Sequence, residues 1–179
     1  VLDPFCKSGE IPIEAVLYLK NISPQKKLLE KLSFTKLTKF KPKDKIKSNN
    51  LNIYSVDSSQ NNLKSAEINA KIAGINKEIK FSRYDIEWLD TKFKKNSISK
   101  IITFPPYPTN NIRKEIIEKI YDEFFYQSEF ILNLKGAMTI LTPVPDLIEK
   151  YASKHRFKKD KDIKINYTHQ HYHILEFKK

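Results

Sequence analysis

Apolar and polar residues alternate along this chain in two rhythms that take turns. A helical period runs over residues 11–20, where Ile11, Ala15 and Leu19 share one face and Ile13, Val16 and Leu17 widen it. Residues 51–56 form an apolar run that ends at Asp57, which reads as a strand. A helix is predicted over 59–73, closed by Gly74 as a C-terminal cap. Strands follow over 79–84, ending at Asp85, and over 98–104, stopped by Pro105-Pro106. A long helix is expected over 113–134, ended by Lys135-Gly136, then a strand over 137–141 and a helix over 145–154. Two strands, about 163–167 and 172–177, close the chain and are expected to pair antiparallel. Residues 21–50 break the rhythm and read as an insertion, part helical around Leu28, Leu29 and Leu32.

Strand and helix in regular alternation predict an α/β fold. Its sheet is doubly wound and mostly parallel, with helices on both faces and a C-terminal antiparallel strand. Ligands of such sheets bind beyond the carboxyl ends of the strands. Asp3, Asp57, Asp85 and the Pro105-Pro106-Tyr107 turn stand at those ends and are expected to converge on one crevice.

Composition narrows the class. The chain has 179 residues, 40% hydrophobic and 30% charged, the size of one ordinary domain over 1–179. No apolar run approaches the ~20 residues that span a bilayer, and no leader pattern opens the chain. A membrane is therefore not among the expected partners. The single Cys6 allows no internal disulfide and suits a cytoplasmic location. Val1-Leu2-Asp3 reads as the end of a strand, so a preceding N-terminal region, or a partner chain supplying it, is expected.

Net charge is +12, which favours a polyanionic partner, nucleic acid or an acidic surface. The charge is uneven. Residues 20–50 hold ten lysines against Glu30 and Asp44, interleaved with Phe34 and Phe40. A second basic stretch is Lys154, Arg156, Lys158, Lys159, Lys161 and Lys164. A phosphate-tracking surface and a merely solvated lysine face both fit this pattern.

The strand ends suggest specific chemistry. The opening Val1-Leu2-Asp3-Pro4-Phe5-Cys6-Lys7-Ser8-Gly9-Glu10 reads as strand, tight loop and helix start, a place where α/β sheets hold nucleotide-like ligands. There Asp3 could accept from an ammonium group, and Ser8 and Gly9 could offer N–H groups to a carboxylate. Asp57 can accept from a ribose diol, cap the following helix, or do both. Asp85 can accept from an adenine amine while Tyr84 packs on the base, or can simply cap a strand end. In Thr103-Phe104-Pro105-Pro106-Tyr107 the prolines fix the backbone, leaving carbonyl oxygens to accept from an exocyclic amine and Tyr107 to stack on a base. His169, His171 and His173 alternate on a strand, but residues four apart lie ~13 Å from each other, too far for one ion, so no metal site is expected. Trp88 and Phe124-Phe125-Tyr126 read as core or interface.

Taken together, these residues resemble the class I S-adenosylmethionine-dependent methyltransferases. They look most like the catalytic domain of the THUMP-associated RNA guanine-N2 methyltransferases, which act on tRNA and large-subunit rRNA. The resemblance rests on the loop from Asp3 to Ala15, on Tyr54-Ser55-Val56-Asp57 with Ala66, Asn69, Ala70 and Ala73-Gly74, on Tyr84-Asp85, and on Pro105-Pro106-Tyr107. It implies a Rossmann-like sheet and S-adenosylmethionine as cofactor. It also implies methylation of the N2 amine of guanosine in RNA, most naturally tRNA. By the resemblance, Asp3, Cys6, Ser8 and Gly9 line the methionine end of the cofactor, Asp57 holds the ribose, and Tyr84 and Asp85 the adenine. Pro105, Pro106 and Tyr107 hold the target base. An N-terminal RNA-binding domain or a separate partner subunit would capture the RNA.

Three positions depart from the family pattern. Lys7 stands where glycine is usual, Glu10 where a small or hydroxyl residue is usual, and Phe104 where the family has Asn or Asp. Losing that side-chain acceptor is worth ~2–4 kcal/mol by analogy with an oxyanion-hole donor. A second reading therefore stands beside the first: a degenerate relative that keeps the fold and binds RNA or a partner subunit.

Overall fold

The computed structural model describes residues 1–23, 51–168 and 170–179. The insertion read over 21–50, with its lysine cluster, falls almost wholly outside the described residues, as does His169. Among the described residues seven strands form one sheet, in the order β3-β2-β1-β4-β5-β7-β6. They are β1 (Leu2–Asp3), β2 (Ile53–Asp57), β3 (Ile79–Arg83), β4 (Ile98–Thr103), β5 (Leu132–Thr142), β6 (Lys158–Tyr167) and β7 (Gln170–Lys178). The α-helices among the described residues are α1 (Glu10–Lys20), α2 (Gln60–Ile72), the short α3 (Leu89–Lys92), α4 (Lys114–Ile131) and α5 (Pro145–Lys154).

The first five strands are mutually parallel, and β7 runs antiparallel to both β5 and β6. This is the doubly wound sheet expected, with one refinement: the last strand inserts between β5 and β6 rather than adding to an edge. Leu2 lies at the centre, level with Tyr54 of β2 and Ile101 of β4. Pro4 has no N–H to continue the ladder, so β1 stops after two residues.

Strand alternation divides the core between two faces. Leu2, Val56, Ile101 and Ile140 pack with Ile117, Tyr121, Phe124 and Phe125 of α4 and Ile148 of α5. Ile53 and Ile79 point the other way, onto Val16 and Leu17 of α1 and Ala70 of α2. Phe124 and Phe125 are fully buried, whereas Tyr126 is 59% and Trp88 56% exposed, so the last two are not core residues.

One boundary corrects the sequence expectation. Helix α4 ends at Ile131 and β5 starts at once, so Lys135-Gly136 lies inside a strand of eleven residues. Gly136 has no left-handed φ. What it relieves is crowding, since a Cβ there would meet Leu132 Cγ at 2.6 Å. The end of α4 is closed from outside: Lys179 Nζ donates to the carbonyls of Glu129 (2.6 Å) and Leu132 (3.2 Å). Among the described residues no helix is long and apolar enough to cross a membrane.

Candidate active site

The loop after β1 is held mainly by its own backbone. Cys6 N–H donates to Val56 O at 3.0 Å and Gly9 N–H to Cys6 O at 2.7 Å. Gly9 has a φ of 86°, and a Cβ there would lie 2.9 Å from that of Ala66, so only glycine lets the loop approach α2 this closely. Asn69 of α2 reaches back and donates to Ser8 O at 2.9 Å. Ser8 Oγ bonds Glu10 Oε1 at 2.5 Å. The N–H of Gly9, one of the two expected to face a ligand, is thus engaged within the loop, and the Ser8 hydroxyl is tied to Glu10. Cys6 packs with Leu63 and Ala66, and burial pushes its thiol up to about 12. A thiol held protonated in this way is no nucleophile.

Asp3 lies beneath the loop, 2% exposed. It accepts from Thr103 Oγ1 at 2.7 Å and Phe5 N–H at 3.2 Å. Burial outweighs both bonds and pushes its carboxyl up to about 7.

Asp57, at the end of β2, is the hub. Its Oδ1 accepts from Ser59 N–H (2.9 Å) and Asn62 Nδ2 (3.0 Å), and its Oδ2 accepts from Lys7 N–H (3.0 Å). The N-cap of α2 is Ser59, whose Oγ accepts from Asn62 N–H at 3.4 Å, so Asp57 is not the cap. Asp57 lines a cleft of about 470 Å³ together with Pro4, Phe5, Lys7, Asn62, Tyr84, Asp85 and Pro106. Tyr84 follows β3 and donates its N–H to Asp57 O at 3.3 Å. Asp85 is exposed and leads into a 3-10 turn, Ile86–Trp88.

The turn after β4 forms the remaining wall. Tyr121 of α4 donates its hydroxyl to Pro106 O at 2.7 Å, which fixes the turn and occupies one of the carbonyls expected to face a ligand. Pro106 lines the cleft, while Pro105 is buried. Tyr107 does not line the cleft. It stacks on Phe104, with centroids 5.7 Å apart and planes 20° apart, and Tyr172 of β7 meets Phe104 edge-on at 6.0 Å. One face of Tyr107 is therefore covered. Lys7 Nζ lies 3.9 Å from the Phe104 ring centroid.

The cleft thus gathers Asp57, Tyr84, Asp85 and Pro106, whereas Asp3, Cys6, Ser8, Gly9, Pro105 and Tyr107 stand behind or beside it. Asn62, Ile86, Glu87 and Ile120 also line it and went unread in the sequence. Asn62 sits in the first turn of α2, three residues past the cap, a position that faces the strand end. Tyr121 carried a signal too: a phenol within a buried apolar stripe needs an acceptor.

The other candidate groups are satisfied elsewhere. His173 Nδ1 meets Asp162 and His171 Nδ1 meets Asn166, each at 2.7 Å. Among the described residues no group of three or more His, Cys, Asp or Glu could hold a metal. Lys154, Arg156, Lys159 and Lys161 of the second basic stretch pair with Asp122, Glu129, Glu149 and Glu176. Much of that charge is locally compensated.

A family model described as UPF0020, RMKL-like, methyltransferase domain, matches residues 1–173. The tRNA (guanine(6)-N2)-methyltransferase of Methanocaldococcus jannaschii is 32% identical over 173 residues, covering 92% of this chain and 45% of the relative. That of Archaeoglobus fulgidus is 29% identical over 142 residues, covering 79% and 34%. The chain spans less than half the length of these curated relatives. TrmN from Thermus thermophilus superposes with a TM-score of 0.72 at 22% identity, over 99% of this chain and 43% of that one. SMU.472, solved in complex with SAH, gives 0.74 at 21% identity, over 99% and 47%. At these identities the solved structures share the fold.

Proposed function

The chain belongs to the RMKL-like methyltransferase domain family, and from that premise we propose that it is the catalytic domain of an S-adenosylmethionine-dependent tRNA methyltransferase acting on the N2 amine of guanosine. The observation that carries this reading is the cleft itself, where Asp57, Tyr84, Asp85 and Pro106 arrive from three strand ends at one place. The names of the two curated relatives support tRNA and guanine N2 as the target.

The donor set fits the cofactor. Asp57 and Asp85 are acceptors set apart in one cleft, suited to the ribose diol and the adenine amine, with the Tyr84 ring beside them. Cys6, Ser8 and Gly9 act through the shape of the loop, and Asp3 through the charge beneath it. When bound, S-adenosylmethionine supplies a methyl group on a sulfonium. The protein holds the guanine amine in line with that group, using the turn from Pro105 to Tyr107. This is catalysis by positioning and requires no strong base. With Phe104 in place of Asn or Asp, and the Pro106 carbonyl engaged by Tyr121, backbone carbonyls of the turn other than Pro106 orient the amine.

The relatives are more than twice as long as their match here, and this reading assigns RNA capture to a further domain or a partner subunit, in the cytoplasm. The test is transfer of labelled methyl from S-adenosylmethionine to unmodified tRNA, followed by nucleoside analysis. Label in N2-methylguanosine is the expected result. Label confined to another nucleoside, or none at saturating cofactor, would sink the proposal.

A further inference from the structure

The turn assigned to the target base is braced from a distant part of the chain. Phe104, the first residue after β4, stacks on Tyr107 with centroids 5.7 Å apart, and Tyr172 of β7 meets the same Phe104 ring edge-on at 6.0 Å. The three rings form a row that begins on the target-base turn and ends on the C-terminal strand pair.

The sheet explains how Tyr172 reaches that turn. Strand β7 pairs with β5 only as far as His173, opposite Thr142. Tyr172 is the next residue, past the end of β5, and its side chain crosses that end to meet Phe104. Its backbone is still held, by pairing with Ile165 of β6. Leu175 is buried with α4, and strand alternation sets Tyr172, an odd number of residues away, on the opposite face. Its hydroxyl donates to Oε1 of the exposed Gln170 on the same strand, so the ring and not the hydroxyl makes the contact with Phe104. The Tyr107 phenol lies close as well: desolvation, and after it Tyr107, holds the Tyr172 phenol above its ordinary value. Stacked and edge-on ring pairs of this kind are favourable beyond the area they bury.

We propose that Tyr172 is a positioning residue for methyl transfer: acting through Phe104, it sets the angle of the Tyr107 ring and so of the base stacked on it. The inference rests on the methyltransferase reading. Phe104 covers one face of Tyr107, and the base takes the other. Phe104 has no side-chain acceptor for the amine, so the direction of its approach depends on how the base is stacked. A tilt of Tyr107 carries the N2 amine off the line of the methyl group, and catalysis by positioning is sensitive to that displacement. Affinity for tRNA, set mainly by phosphate contacts, is little changed by it.

Steady-state transfer of labelled methyl from S-adenosylmethionine to unmodified tRNA tests this, with cofactor affinity measured by calorimetry beside it. Tyr172→Leu should lower kcat by roughly two- to tenfold, the worth of one ring pair, with KM for tRNA and the cofactor dissociation constant unchanged. Tyr172→Phe keeps the ring and should keep kcat. In a Phe104→Leu background Tyr172→Leu should cost little more, because the ring it acts through is already gone. Should Tyr172→Leu fail to fold, Tyr172→Ile, suited to a strand, takes its place. A kcat left at the native value, a loss confined to KM, a matching loss of cofactor affinity, a loss shared by Tyr172→Phe, or an undiminished loss in the Phe104→Leu background would each overturn the role of Tyr172 and leave the methyltransferase reading standing. No transfer by the native chain at saturating cofactor would overturn that reading and this inference with it.

Discussion

Asp3 carries a carboxyl that burial pushes up to about 7, although Thr103 and the Phe5 N–H both donate to it. The ordinary value of 3.8 applies once the chain unfolds. Between those two values the folded chain binds the extra proton, so this contribution to stability is intact below the lower one. It is lost as pH rises and is gone above the higher. Asp3→Asn has no proton to lose. The stability of the variant relative to the native chain should therefore improve by up to about 4 kcal/mol between acidic and mildly alkaline pH. Urea unfolding at both ends of that range measures it, and a constant difference would refute the assignment. Much of this site was legible as residues: Asp57, Tyr84, Asp85 and Pro106 each stand where an apolar run stops. What was not legible was the engagement of Ser8 Oγ by Glu10 and of the Pro106 carbonyl by Tyr121. Sequence spacing indicates where a group sits along the chain, and the packing decides what it faces.

Elements obeyed the same rule. Helices α2 and α5 and the first four strands fall within a few residues of their apolar periods. The end of α4 does not, because Leu132 and Leu134 continue an apolar pattern and Gly136 resembles a cap. The actual stop is Lys179, whose ammonium reaches the carbonyls of Glu129 and Leu132 from the far end of the chain. No local pattern reports a partner that distant. Removing that donor by Lys179→Met should destabilise the chain by about 1.5–3 kcal/mol, as for hydrogen bonds to a charged group. Amide exchange in the last turn of α4 should quicken, while exchange in α2 should not change. Equal quickening in both helices would point to global loosening and not to a lost cap.

For the whole molecule, the decisive feature is the place of β7. It pairs with β5 over Ala137–Thr142 and with β6 over Lys158–Tyr167, and among the described residues β6 has no other neighbour in the sheet. A chain cut before Gln170 keeps β3-β2-β1-β4-β5 but leaves β6 without a partner and one edge of β5 bare. Such a chain should lose its cooperative thermal transition and associate, which light scattering during a melt would detect. A monomeric, cooperatively melting product would contradict this. The same geometry orders events during synthesis. The β6 segment leaves the ribosome before β7, the strand it pairs with, and must wait in solution until its successor emerges. Its lysines, spaced along the segment, keep it from joining another chain meanwhile. Assembly from the centre can begin early, but this side of the sheet closes only when β7 slots between β5 and β6, so the strand made later than both of its neighbours is the one that locks them together.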